Sequence, residues 1–169
     1  MFIIGVDASM NGSGLVKFEL DDNKKIISRD YLAFVPKRSL ATDKIKAYLK
    51  KDFSNNFNQF RWMLKEMLDF VPNDSTVAIE GYAMGAKGNV FDIGEWGGII
   101  KYHLLEKGCK LRIYPPTMVK KYFTNHGASD KVMMCNEYFK RGDILDLAWL
   151  DKYKAPQADI VDALSLIHI

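Results

Sequence analysis

Apolar residues follow two different rhythms along this chain, and the switches between them lay out its elements. Phe2, Ile3, Ile4 and Val6 form a near-continuous apolar run, the pattern of a strand covered on both faces of a sheet. Ser13 to Leu20 alternates, Asp21 to Lys24 is a polar turn, and Lys25 to Val35 reads as a third strand. The opening of the chain therefore predicts an antiparallel meander. Pro36 to Phe53 is looser, rich in Lys and Arg with Leu40, Ile45 and Leu49 in a helical scatter. It reads first as a solvated surface helix and second as a DNA-facing arm. Phe60, Met63, Leu64, Met67, Leu68 and Val71 then recur at helical spacing, which predicts a helix over 58–71 with one side on the sheet, ended by Pro72.

Ser75 to Gly81 (STVAIEG) returns to an apolar run. A helical crossover between it and the meander brings the first strand and this one side by side and parallel. Residues 82–89 form a glycine-punctuated loop, and Phe91 to Lys107 is a helix with Trp96, Ile99, Ile100, Leu104 and Leu105 on its apolar side. Gly94, Gly97 and Gly98 leave a flat patch on that helix where the backbone of a partner subunit could come close. Lys110 to Tyr114 is a short strand, and Pro115-Pro116 breaks it before a helix that Thr117 is expected to cap. Residues 125–129 interrupt the helical pattern, Asp130 to Lys140 restores it, and 156–169 (PQADIVDALSLIHI) is a last, largely apolar helix. The expected architecture is an α/β mixed sheet, a three-strand antiparallel meander plus two parallel strands, flanked by helices.

At 169 residues and 48% hydrophobic the chain suffices for one well-buried core, so a single domain over 1–169 is expected. A net charge of +3 favours anionic partners only mildly. Cys109 and Cys135 lie outside any C-x-x-C spacing and are expected to be buried, reduced thiols. With neither a basic leader nor a membrane-spanning run, a soluble, cytoplasmic protein without membrane contact is expected.

Chemistry enters with the acids. Asp7 ends the first apolar run and Glu80 ends the second, so both are expected at the carboxyl edge of the sheet, where open α/β sheets build their sites. Gly12 and Gly14 after Asp7 are read as letting the chain double back with positive φ. An ordinary turn-capping role for Asp7 is the competing explanation. Asp159 and Asp162 are three apart and share a face of the last helix; a favourable place near the helix start explains Asp159 more easily than Asp162. Four converging carboxylates repel one another unless cations hold them. Magnesium is a hard, oxygen-seeking cation of the right kind, and two such ions ~4 Å apart activate water and stabilise the leaving oxygen of a phosphodiester. No Cys/His set competes for zinc.

These pieces resemble the RuvC-type Holliday junction resolvases of the RNase H-like nuclease superfamily. The resemblance lies in IIGVDASMNGSG around Asp7, VAIEGY around Glu80, PPTMVKKYFTNHGASDKVMM, and QADIVDAL with Asp159 and Asp162. It implies an RNase H-like sheet and a homodimer that binds a four-way DNA junction and nicks two strands of like polarity. It also implies Asp7, Glu80, Asp159 and Asp162 as ligands of two Mg²⁺ ions, with Mn²⁺ able to substitute. Lys120 and Lys131 match lysines near the scissile phosphate. Tyr82 or Phe91 would meet opened base pairs, and Lys87, Lys120, Lys121 and Lys131 would join them against DNA. The same acids also suit other branched DNA or an RNA–DNA hybrid. A non-catalytic junction-binding relative would be expected to lack an acid, and an actin-like ATPase needs a second phosphate loop that this chain does not show.

Overall fold

The computed structural model describes residues 1–10, 12–81, 90–142 and 144–168. Its strands are β1 (Phe2–Asp7), β2 (Gly14–Leu20), β3 (Ile26–Val35), β4 (Ile45–Ala47), β5 (Thr76–Glu80) and β6 (Lys110–Tyr114). Its helices are α1 (Asn56–Phe70), α2 (Val90–Glu106), α3 (Pro116–Thr124), α4 (Lys131–Lys140) and α5 (Gln157–Ile167). The sheet order is β4-β3-β2-β1-β5-β6. The meander pairs antiparallel, with Val6 opposite Leu15 and Val16 opposite Tyr31. β5 lies parallel to β1, and β6 parallel to β5. The expected five strands are therefore present.

A sixth strand stands where a surface helix was expected. Residues 36–53 fold as two 3-10 turns, Arg38–Leu40 and Lys50–Asp52, around β4, which pairs in parallel with β3 from Ala33 opposite Ile45 to Val35 opposite Ala47. The physical reason is the open edge of β3, whose unpaired backbone groups favour a partner. The Thr42 hydroxyl accepts from the backbone N–H groups of Lys44 and Ile45 and turns the chain into that pairing. Ile45 and Tyr48 then bury their side chains, which a solvated helix would have left half in water.

Two apolar layers sandwich the sheet. On one face Ile4, Val6, Leu15, Phe34, Phe60, Met63, Val77, Ile79, Trp96 and Ile100 join β-strands to α1 and α2. On the other, Val16, Phe18, Ala33, Cys135, Tyr138, Ile160, Val161 and Leu164 join the meander to α4 and α5. Helix ends follow local chemistry. The Asn55 side chain accepts from Asn58 N–H to start α1, and that of Asp130 accepts from Met133 N–H to start α4. Thr117 does not cap α3; Pro115 holds the cap position and Pro116 is the first helical residue, a place where a missing N–H costs nothing. Asn125, left-handed at φ 63, closes the same helix. Both cysteines are free and buried. On α2, Trp96, Ile100 and Leu104 face the core as expected, but Leu105 is 58% exposed and belongs to the opposite side. Among the described residues, no helix is long and apolar enough to cross a membrane.

Candidate active site

The parallel pairing of β1 with β5 runs through Val6 opposite Ile79, so the next residue of each strand, Asp7 and Glu80, emerges on the same edge. Across from them, α5 lies on the sheet at very short range. A Cβ added to Gly5 would collide with the Ala163 carbonyl oxygen, and one on Gly14 with the Asp159 carbonyl oxygen. Bare backbone at these two points lets the helix sink onto β1 and β2, which brings Asp159 and Asp162 level with the strand-end acids. This corrects the expected role of the glycines after Asp7: neither Gly12 nor Gly14 has a positive φ. Gly12 is small because the Asp159 carboxylate is there, with Oδ2 2.8 Å from where a Cβ would sit.

A cavity of about 290 Å³ opens between these parts, lined among others by Asp7, Glu80, Lys120, Asp130, Lys131 and Asp162. Asp159 sits behind it, 5% exposed, with its Oδ1 3.0 Å from Lys131 Nζ. The other three acids have no such partner. Among the described residues, no hydrogen bond or ion pair reaches the carboxylates of Asp7, Glu80 or Asp162, so Asp7 does not act as a turn cap.

Electrostatics bear the mark of that crowding. The Asp7 carboxyl is held well above its ordinary range, first by burial and then by the charges of Asp162, Asp159 and Glu80, with Lys131 opposing. Burial, followed by Asp162, lifts Glu80 to about 7, with Lys120 opposing. Burial lifts Asp162 to about 6, with Lys131 and Lys120 opposing. Asp159 is also raised by burial, against the pull of Lys131. Burial comes first for all four carboxyls, and for Asp7, Glu80 and Asp162 the charge of a neighbouring acid adds to it.

The donor set suits a hard divalent cation, since every ligand offered is a carboxylate oxygen. Among the described residues, no three of these acids are drawn into a closed ligand set, and on Asp159 the Lys131 ammonium stands where a cation would. Lys120 lines the same cavity, while Lys121, the next residue of α3, points away into solvent. Phe91 projects from the first turn of α2 and is 89% exposed. Tyr82 and Lys87 lie outside the described residues. Sequence reasoning passed over Asp130, which lines the cavity while capping α4; its place just before Lys131 at a helix start was the available signal.

A mixed sheet of this order, flanked by helices and with acids at the ends of its parallel strands, is the RNase H-like fold. Within it the chain is similar to solved RuvC-type Holliday junction resolvases. It superposes on Thermus thermophilus RuvC in complex with a Holliday junction substrate with a TM-score of 0.59 and 18% identity, covering 99% of this chain and 91% of that one. The Fowlpox virus resolvase in complex with Holliday junction DNA gives 0.56 and 17%, over 99% and 94%. The yeast mitochondrial Holliday junction resolvase gives 0.53 and 10%, over 98% and 75%. No protein-family model matches the sequence, and no curated protein does.

Proposed function

We propose that this protein is a structure-selective DNA endonuclease that resolves four-way junctions, acting as a symmetric homodimer with two divalent cations per site. The observation that carries the reading is the convergence of Asp7, Glu80 and Asp162 on one cavity whose cationic walls are Lys120 and Lys131, with Asp130 also in its lining. Carboxylates alone would repel a phosphodiester; carboxylates with bound cations and two flanking lysines attract one. Asp7, with Glu80 and the α5 acids as its charged neighbours, would help to hold both ions. Glu80 would hold one ion, and Asp162 with Asp159 the other. When bound, such ions supply an activated water and charge stabilisation at the leaving oxygen. Lys120 and Lys131, as compact point charges, hold the scissile phosphate over the acids. For Lys131 this means giving up Asp159, which is then free for a cation.

The homodimer is supported by the outer face of α2. Phe91, Gly94, Gly98, Tyr102 and Leu105 follow one another at three- and four-residue steps, and Phe91, Tyr102 and Leu105 are 89%, 59% and 58% exposed. A Cβ built on Gly94 or Gly98 meets nothing within 4 Å. An apolar stripe with a bare centre suits a second copy of the same helix.

The test is Mg²⁺-dependent cleavage of a synthetic four-way junction beside linear duplex and RNA–DNA hybrid, for the wild type and for Asp7→Asn, Glu80→Gln and Asp162→Asn. Wild-type cleavage confined to the junction, lost in all three variants while gel-shift binding persists, is the expected result. Near-normal cutting by Asp7→Asn or Glu80→Gln sinks the two-metal reading, and preferred cutting of the hybrid replaces the junction by another substrate.

A further inference from the structure

The segment that forms the sixth strand carries more positive charge than its own structure uses. Between residues 37 and 51 the basic side chains are Lys37, Arg38, Lys44, Lys46, Lys50 and Lys51. Arg38 Nη2 lies 2.9 and 3.0 Å from the two oxygens of Asp52, whose Oδ2 also accepts from Leu49 N–H at 2.8 Å. This clasp ties the two 3-10 turns together. Lys44 pairs with Asp30 at 2.7 Å and Lys46 with Glu66 at 3.1 Å. Lys37, Lys50 and Lys51 are left exposed, without an ion pair among the described residues. Asp43, the segment's other acid, lies by the Thr42 turn at the far end of β4.

Their position matters more than their number. β3 and β4 run in the same direction as β1 and β5, so the chain leaves β3 at Pro36 and β4 at Tyr48 on the edge that carries Asp7 and Glu80. The junction with the site is close. The Phe34 carbonyl oxygen is 3.3 Å, and Asp159 Oδ2 2.8 Å, from the same point, the place of a Cβ on Gly12. Tyr48, anchored by its N–H to the Val35 carbonyl at 3.0 Å, is near enough to feel the Asp159 charge. Lys37 thus follows, by three residues, a backbone atom that borders the acid cluster.

We propose that Lys37, Lys50 and Lys51 form a landing surface for the sugar–phosphate backbone of a duplex DNA arm leading away from the cavity. The inference rests on the nuclease reading above and adds to it where one arm of the substrate runs. Exposed lysines on the sheet edge that carries the acids would neutralise phosphates that the acids themselves repel. Their contacts carry no base information, so they contribute affinity and orientation rather than sequence preference.

The experiment is a salt titration of DNA binding by fluorescence anisotropy in EDTA, using a four-way junction and a linear duplex of one arm's sequence. Lys37→Ala/Lys50→Ala/Lys51→Ala is expected to lower the slope of log affinity against log salt by about one unit per lysine on both DNAs. Lys44→Ala/Lys46→Ala, which removes lysines already matched by Asp30 and Glu66, is expected to keep the wild-type slope, and both variants to keep the wild-type melting temperature. A triple variant with the wild-type slope overturns the proposal. So does an equal fall per lysine in the double variant, which would reflect overall charge alone. A wild type that binds duplex and junction equally in EDTA and, when Mg²⁺ is supplied in the cleavage assay above, cuts neither refutes the resolvase reading, while the slopes on linear duplex still judge the lysines. A wild type that binds neither DNA overturns both.

Discussion

Lys131 Nζ and Asp159 Oδ1 lie 3.0 Å apart and join the start of α4 to the first turn of α5 beside the cavity. Asp159 is nearly buried and Lys131 is not, so the pair chiefly relieves an acid that would otherwise stand uncompensated behind three others. Lys131→Met is expected to destabilise the metal-free protein by about 1–2 kcal/mol at pH 8. The loss shrinks at pH 5, because the raised Asp159 carboxyl then takes up a proton more readily. Calorimetric titration with Mn²⁺, without DNA, is expected to show tighter binding by this variant, since the cation competing for Asp159 is gone. Weaker binding would mean that Lys131 orders the ligands rather than competing with a metal.

The raised carboxyls make metal-free stability depend on pH in a definite direction. Glu80 at about 7 and Asp162 at about 6 stand above their ordinary values of 4.5 and 3.8, and Asp7 is raised with them. Between those limits the folded protein binds more protons than the unfolded chain. The contribution is fully present below about pH 4 and is lost as pH rises through 6 and 7. Melting in EDTA is expected to drop from pH 5 to pH 8. Asp7→Asn is expected to lessen that drop, and millimolar Mg²⁺ at pH 8 to reverse it in the wild type alone. A flat profile would show that the acids do not crowd one another.

Gly98 separates folding from assembly. Leucine there meets open space on the monomer and replaces a helix-interior glycine, which is expected to stabilise the fold by roughly 0.5–1 kcal/mol. The same side chain would wedge apart two copies of α2. Gly98→Leu is expected to melt higher at low concentration yet sediment as a monomer where the wild type is dimeric. A fully dimeric variant moves the interface elsewhere.

Gly5 and Gly14 define the seat of α5. Alanine at either place puts a methyl against a helix carbonyl, with an expected cost of about 1–3 kcal/mol or more from overpacking. Gly14→Ala pushes at Asp159 itself, so junction cleavage is expected to fall further for it than stability alone accounts for. Equal activity in Gly5→Ala and Gly14→Ala at matched folded fraction would contradict this.

Asp7 and Glu80 were legible in the sequence because each ends a near-continuous apolar run, and parallel pairing of two such runs leaves their ends one place to go. Asp159 and Asp162 were legible because a helix that is apolar almost all round has few faces to offer. β4 was not, since three strand residues carry too little period to outweigh the neighbouring lysines; only the open edge of β3 decides their state. Gly5 gave no signal either. Inside an apolar run a glycine looks like a gap in the pattern, and its meaning lies in a helix more than 150 residues away. The Lys131–Asp159 pair and the pairing of Lys44 and Lys46 with acids are likewise products of tertiary placement that no spacing announces.

The seat beneath α5 bears on where the address of this site is written. Four acids grafted onto another sheet would carry the ligand chemistry without the offset between strand ends and helix, because that offset is set by two positions where only hydrogen fits. A transplant of this site into a new scaffold succeeds or fails first on those two vacancies in the floor, and only then on the carboxylates above it.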